Sequence, residues 1–178
     1  MACASLLFAH GTLAPTVWRV DTNVMILLLI LAGASVVPPN FDAIRFFEGD
    51  THGIGSFKSV LHAREEVHVD GSGKVEPDGT LVLDQQVRRG TKRAELRQWR
   101  LRETAPGHYS GTLSDARGPV EGDTIGNQLH LWFTSKTGYR VEQWLVLANG
   151  DHQGRNHLVA RRFGIVVATL DETIIKAD

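Results

Sequence analysis

The sequence predicts an all-β protein: a single antiparallel up-and-down barrel of about eight to ten strands, preceded by an N-terminal hydrophobic helix. Three observations carry this. From Phe41 onward no 3.6-residue apolar period is sustained, and short alternating segments recur at roughly 8- to 14-residue spacing. Turn-forming residues separate the segments, with 18 glycines available across 178 residues. Connections this short join antiparallel neighbours, and a long meander closes on itself because closure removes exposed strand edges.

The chain divides at residue 40. Residues 24–37 run without a charge. A bilayer-spanning helix needs about 20 apolar residues, whereas a signal-peptide core has about 7 to 15. Ala32-Gly33-Ala34 supplies a small-x-small pattern, and Pro38-Pro39 ends any helix. Residues 1–40 therefore read as an extension carrying an export signal or an uncleaved membrane anchor, with Met25 as an alternative start. The competing reading is a core helix of the folded domain. No cysteine follows the apolar run, which rules out a lipoprotein anchor there. With Cys3 alone, neither an intramolecular disulfide nor a cysteine zinc site can form. A formal charge of −1 argues against dedicated nucleic-acid binding.

The body, residues 41–178, contains ten expected strands: 51–60, 62–71, 79–88, 94–103, 107–114, 118–124, 127–135, 139–148, 153–162 and 166–176. Turn chemistry marks the joints at Asp70-Gly71-Ser72-Gly73, Pro77-Asp78-Gly79, Ala105-Pro106-Gly107, Ile125-Gly126-Asn127 and Asn149-Gly150-Asp151. Alternation assigns faces. In 127–135, Leu129, Leu131 and Phe133 oppose His130, Trp132 and Thr134; in 139–148, Val141, Gln143, Leu145 and Leu147 oppose Glu142, Trp144 and Val146. Both faces carry bulky groups. Either a segment covers the outside, or a tryptophan-bearing face lines a cavity.

A run of short motifs adds to this. The opening Phe46-Phe47-Glu48-Gly49-Asp50-Thr51-His52-Gly53-Ile54-Gly55-Ser56-Phe57 resembles the first strand of lipocalin-like (calycin-like) barrels. Then come Arg97-Gln98-Trp99, Tyr109-Ser110-Gly111, Asp115-Ala116-Arg117-Gly118-Pro119, Gly126-Asn127, Glu142-Gln143-Trp144, Asn156 and Arg162-Phe163-Gly164. In that order, from about Phe41 to Lys176, they resemble the bacterial "domain of unknown function 3833" family. Glu142-Gln143 stands where the family has two acids, and Arg162 where it has lysine. The resemblance implies a lipocalin-like barrel in an envelope or secreted protein, with a link to lipid metabolism and no established activity.

Period-two geometry places Arg97 with Trp99, and Glu142 with Trp144, on single faces. If both faces point inward, a tryptophan-walled cavity holds a guanidinium, a carboxylate and the Asn156 amide. A buried charge needs a partner, so Arg97 and Glu142 are expected to pair. They would either orient the polar end of a ligand, with Trp99, Trp132, Tyr139 and Trp144 as apolar wall, or form a structural pair at one barrel end.

Other constellations are weaker. His62 and His68 share a strand face with Glu66, but lie roughly 20 Å apart at about 3.3 Å per residue, too far for one ion. A lone histidine as haem ligand is the remaining alternative, and neither metal nor cofactor is assigned. The basic run Arg88-Arg89-Gly90-Thr91-Lys92-Arg93 could meet anionic headgroups or guard a solvated hairpin tip. No serine sits in a nucleophile-elbow context.

The sequence therefore points to an exported or membrane-anchored bacterial envelope protein that binds a hydrophobic small molecule of fatty acyl or isoprenoid type. The first alternative is an isomerase, cyclase or lipid-modifying enzyme using Glu142 as acid and base. The second is a structural envelope protein whose barrel is packed solid. Membrane association would run through the N-terminal segment, and the oligomeric state is open.

Overall fold

The computed structural model describes residues 40–148 and 150–177. The hydrophobic N-terminal helix expected before the barrel, the leader and Cys3 lie outside the described residues.

A five-residue helix, α1 (Ala43–Phe47), precedes ten strands: β1 (Gly49–Ser59), β2 (His62–Val75), β3 (Leu81–Arg89), β4 (Glu95–Ala105), β5 (His108–Leu113), β6 (Val120–Ile125), β7 (Gln128–Thr134), β8 (Arg140–Ala148), β9 (Gln153–Arg162) and β10 (Ile165–Lys176). Each strand pairs antiparallel with its sequence neighbours, and β1 pairs with β10 from Thr51↔Lys176 to Ser59↔Ala168. The result is the closed meander that the strand spacing predicts.

Connections after β1, β3, β5, β7 and β9 gather at one end, the mouth. Those after β2, β4, β6 and β8 gather at the other, which α1 closes. Sequence reading placed Phe46 and Phe47 at the start of a strand, and the helix there was not foreseen. Asp42 caps it: its side-chain Oδ1 accepts from Arg45 N at 3.0 Å. Five residues are too few for a periodicity signal, so tertiary contacts hold the helix. Phe41, Phe46 and Phe47 are all buried, with ring centroids 5.3 Å and 4.9 Å apart along the series. Phe41 N donates to Gly126 O at 2.7 Å, and Ala43 N donates to the Tyr109 hydroxyl at 3.3 Å. On β2, Gly73 leaves room for the Phe47 carbonyl; a Cβ there would overlap it.

Above this plug the interior is packed by Leu81, Leu101, Tyr109, Val120, Leu129 and Leu145, the inward phases of β3 to β8. The end that α1 closes is therefore solid, and open space begins above it.

Candidate functional site

Below the mouth, where Arg89, Glu95 and Arg162 share the inward phases of β3, β4 and β9, the interior faces of β3, β4, β8, β9 and β10 carry polar groups in one middle layer. Leu81 and Leu83 lead up to Gln85 on β3, and Leu101 and Trp99 lead up to Arg97 on β4, with Gln85 directly opposite Arg97. On β8 the polar residue is Gln143, and on β9 and β10 Asn156 faces Glu172 as a direct cross-strand pair. These groups border an interior cavity of about 80 Å³ whose other walls include Val67, Leu83, Trp99, Phe133 and Leu158.

Hydrogen bonding orders the layer. Trp99 Nε1 donates to Gln85 Oε1 at 2.8 Å, and its ring meets Phe133 edge-on at 5.8 Å. Asn156 Nδ2 donates to Glu172 Oε2 at 2.9 Å. Both residues are buried, at 5% and 8% exposure, yet Asn156 Oδ1 and Glu172 Oε1 have no hydrogen-bond partner among the described residues. Burial pushes the Glu172 carboxyl above its usual range, opposed by the Asn156 hydrogen bond and the Arg97 charge. Arg97 Nε lies 2.7 Å from Asp115 Oδ2 without the alignment of a hydrogen bond, and Nη2 lies 3.5 Å from Glu95 Oε2.

Toward the mouth the barrel widens into a chamber of about 730 Å³, walled by Phe57, Tyr139, Val141, Ala160, Arg162 and Ala168 among others. Arg97 borders both spaces. The site is thus a funnel of largely apolar surface whose mouth also carries Arg89, Lys92, Glu95 and Asp115, with Arg97 at its neck and a buried carboxyl–amide pair below.

Of the residues singled out from sequence, Arg97, Trp99 and Asn156 meet in this interior, and Tyr139 stands at the mouth beneath the Arg162 guanidinium at 5.3 Å. Glu142, Trp132 and Trp144 do not. They belong to the outer phases of β7 and β8, and the expected Arg97–Glu142 pair is not formed. Glu142 instead bridges Arg140 and Arg161, both at 3.2 Å. The reason is packing: the leucine-bearing phases fill the core better, leaving the planar rings to cover one another outside. Trp144 stacks on His130 at 4.9 Å and 5°, His130 meets Trp132 at 5.0 Å, and His157 lies 6.1 Å from Trp144.

Glu172, Gln143 and Gln85 are the interior polar residues that sequence reading missed. Glu172 had a signal, since it interrupts the apolar phase Leu170, Glu172, Ile174 with a carboxylate. The histidines make local contacts: His52 to Asp70 at 2.9 Å, His68 to Glu66 at 2.9 Å, His108 to Asp123 at 2.6 Å and His157 to Asp171 at 2.7 Å. Among the described residues no three His, Cys, Asp or Glu side chains are placed to hold a metal ion.

The family described as "Protein of unknown function (DUF3833)" matches residues 33–176. The chain is a member of the DUF3833 family. Comparison with curated proteins gave no match. Solved structures similar to this DUF3833 barrel include the S-type phycobiliprotein lyase CPES from Guillardia theta, with TM-score 0.58 and 10% identity over 76% of this chain and 90% of that one. Rv2717c from M. tuberculosis is similar at TM-score 0.59 and 14% identity, over 76% of this chain and 96% of that one. A DUF3598-family protein of unknown function from Nostoc punctiforme is similar at TM-score 0.56 and 13% identity, over 82% of this chain and 53% of that one. At these identities the likeness is one of fold.

Proposed function

We propose that this DUF3833 barrel binds a hydrophobic small molecule of fatty acyl or isoprenoid type, with its polar end at the neck of the funnel. The observation that carries this is the Asn156–Glu172 pair, buried yet with an unpartnered oxygen on each residue, beneath an apolar chamber. Leaving a buried polar atom unpaired costs about 1–3 kcal/mol, so a ligand that satisfies it gains from doing so. A ligand hydroxyl could donate to Asn156 Oδ1 and exchange a hydrogen bond with Glu172 Oε1, while an acceptor on the same end could take a hydrogen bond from Arg97. The chamber would receive the apolar body, since its volume falls in the range of small-molecule sites. That a lyase acting on phycobiliproteins uses the same fold is compatible with this, as an analogy of fold alone.

A second reading is an isomerase, cyclase or lipid-modifying enzyme in the same cavity. Glu142 lies outside it, and the group that favours this reading is Glu172, a carboxyl bordering the cavity that burial shifts toward its protonated form.

Native mass spectrometry of the full chain after lipid extraction, followed by titration with a fluorescent fatty acid and a fluorescent prenol, tests the proposal. Wild type should bind at least one probe, and Arg97→Met should weaken the carboxylate-bearing probe by about tenfold or more. Absence of any bound lipid together with failure to bind both probes would overturn it.

A further inference from the structure

Two neighbouring hairpin tips at the mouth display large apolar side chains to solvent. Val60 and Leu61, between β1 and β2, are 67% and 84% exposed; Phe163, between β9 and β10, and Ile165, the first residue of β10, are 92% and 68% exposed. The tips are adjacent because β1 and β10 form the barrel seam, where Val60 N donates to Val167 O at 3.0 Å. Together they make one apolar ledge on the rim.

Phe163 is held there against its local preference. Its φ is +51°, it is followed by Gly164 at +81°, and the flanking Arg162↔Ile165 pair makes this a two-residue hairpin with both central residues left-handed. Asparagine or glycine suits such a position, and a bulky aromatic is uncommon there. Strain and full exposure in one aromatic side chain are the pattern of a residue kept for an external contact.

Charge says what that contact is. Although the whole chain has a formal charge of −1, the five mouth segments 58–66, 88–95, 113–120, 134–140 and 161–166 hold eleven lysines and arginines against four carboxylates, Glu65, Glu66, Glu95 and Asp115. Among the described residues, Lys58, Arg64, Arg88, Arg93, Lys136 and Arg162 have no carboxylate within 4.0 Å. The plugged end carries the opposite sign at Asp42, Glu48, Asp50, Glu76, Asp78 and Asp151. The barrel is therefore polarised along its axis, which orients its mouth toward a negative surface.

We infer that the barrel mouth docks on an anionic lipid bilayer, the Val60-Leu61 and Phe163-Ile165 tips entering the headgroup region while the surrounding cations bind lipid phosphates. Apolar tips ringed by lysine and arginine match such an interface, where each cation near the surface adds to affinity. The funnel would then open directly onto the membrane. The inference rests on the rim alone and holds whatever the interior contains.

The test uses full-length protein in a Cys3→Ser background, with a nitrobenzoxadiazole label on Leu61→Cys or, as a control at the plugged end, on Ala105→Cys. Both proteins carry the same N-terminal residues, so anchoring through those residues does not by itself make the labels differ. With vesicles of phosphatidylcholine and phosphatidylglycerol, the Leu61 label should brighten, shift to the blue and be quenched by spin-labelled lipid, while the Ala105 label stays as in buffer. Arg162→Gln and Lys136→Gln should each weaken the response by about fivefold, and Phe163→Ser should weaken it with an unchanged circular dichroism spectrum. A silent Leu61 label would overturn the inference. So would an equal response to pure phosphatidylcholine, or a response that tracks protein concentration without lipid, the mark of contact between two copies of the chain.

Discussion

The carboxylate of Glu172 on β10 occupies the volume that a side chain at Gly53 on β1 would fill. A Cβ at Gly53 would overlap Glu172 Oε1, and one at Gly55 would lie 2.9 Å from Glu172 Cβ and 2.6 Å from the Asp171 carbonyl oxygen. The Gly53-Ile54-Gly55 spacing thus has a physical cause: β1 gives up two inward side chains, at Gly53 for the buried carboxyl and at Gly55 for the β10 backbone at Asp171 and Glu172. Gly53→Ala should destabilise the fold by about 1–3 kcal/mol in urea denaturation. Adding Glu172→Ala should cost less than the two single losses combined, because it removes the overlapping atoms. Strict additivity would show that the carboxylate is not what excludes a side chain there.

Glu172 also gives stability a pH dependence of definite sign. Its folded pKa is raised by burial, so the native state holds a proton that the unfolded chain releases. Below the unfolded carboxylate pKa both states are protonated and there is no penalty. As pH rises from there through the folded pKa, stability is lost, with a limiting slope of about 1.4 kcal/mol per pH unit. In Glu172→Gln this fall should vanish, so the variant gains on wild type as pH rises. Parallel curves for the two proteins would mean that Glu172 is ionised in the fold.

The division of the tryptophans between inside and outside predicts which of them reports binding. Trp99 borders the cavity, whereas on the outer surface Trp144 stacks on His130 and Trp132 meets the same ring at a tilt. Ligand-induced change in tryptophan emission should survive Trp132→Phe and Trp144→Phe and be lost in Trp99→Phe. A signal that disappears with Trp144 would place the ligand on the outer face.

The plug should matter for stability more than for the mouth. Phe46 is buried against Phe41, Phe47 and the backbone of Gly154. Phe46→Ala should lower stability by about 3–5 kcal/mol, while the folded fraction keeps the probe affinity of wild type. Loss of affinity in protein that is still folded would show that the plug shapes the site above it.

All ten strands were legible in the sequence because period two and glycine turns are local signals, but Asp70-Gly71-Ser72-Gly73, which reads as a turn, is paired on both sides inside β2, its glycines making room for Thr51 and the Phe47 carbonyl. Which phase faced inward was legible only where one phase was plainly more apolar. On β4, Arg97 and Trp99 were correctly grouped. On β7 and β8 both phases carry large rings or aliphatics, and the choice depended on His130, Trp132, Trp144 and His157 covering one another across three strands. That is a tertiary arrangement with no trace in any single segment. The role of Glu172 was hidden for a related reason: a carboxylate in an apolar phase is informative only beside the glycine that receives it, more than a hundred residues earlier. The helix Ala43–Phe47 depends on contacts with β2, β3 and β4, and without them its five residues have no reason to coil.

The seam between β1 and β10 sets a condition on how the protein can be made. Thr51 and Lys176 are among the first and last barrel residues to leave the ribosome, yet they are direct neighbours in the finished sheet. Until β10 emerges, β1 has an unpaired edge and the carboxylate destined for Gly53 has not been synthesised. Closure is therefore a late event with large sequence separation, the kind that slows folding and leaves edges open to other chains. A nascent chain stalled anywhere before residue 165 should be an open sheet in need of a chaperone.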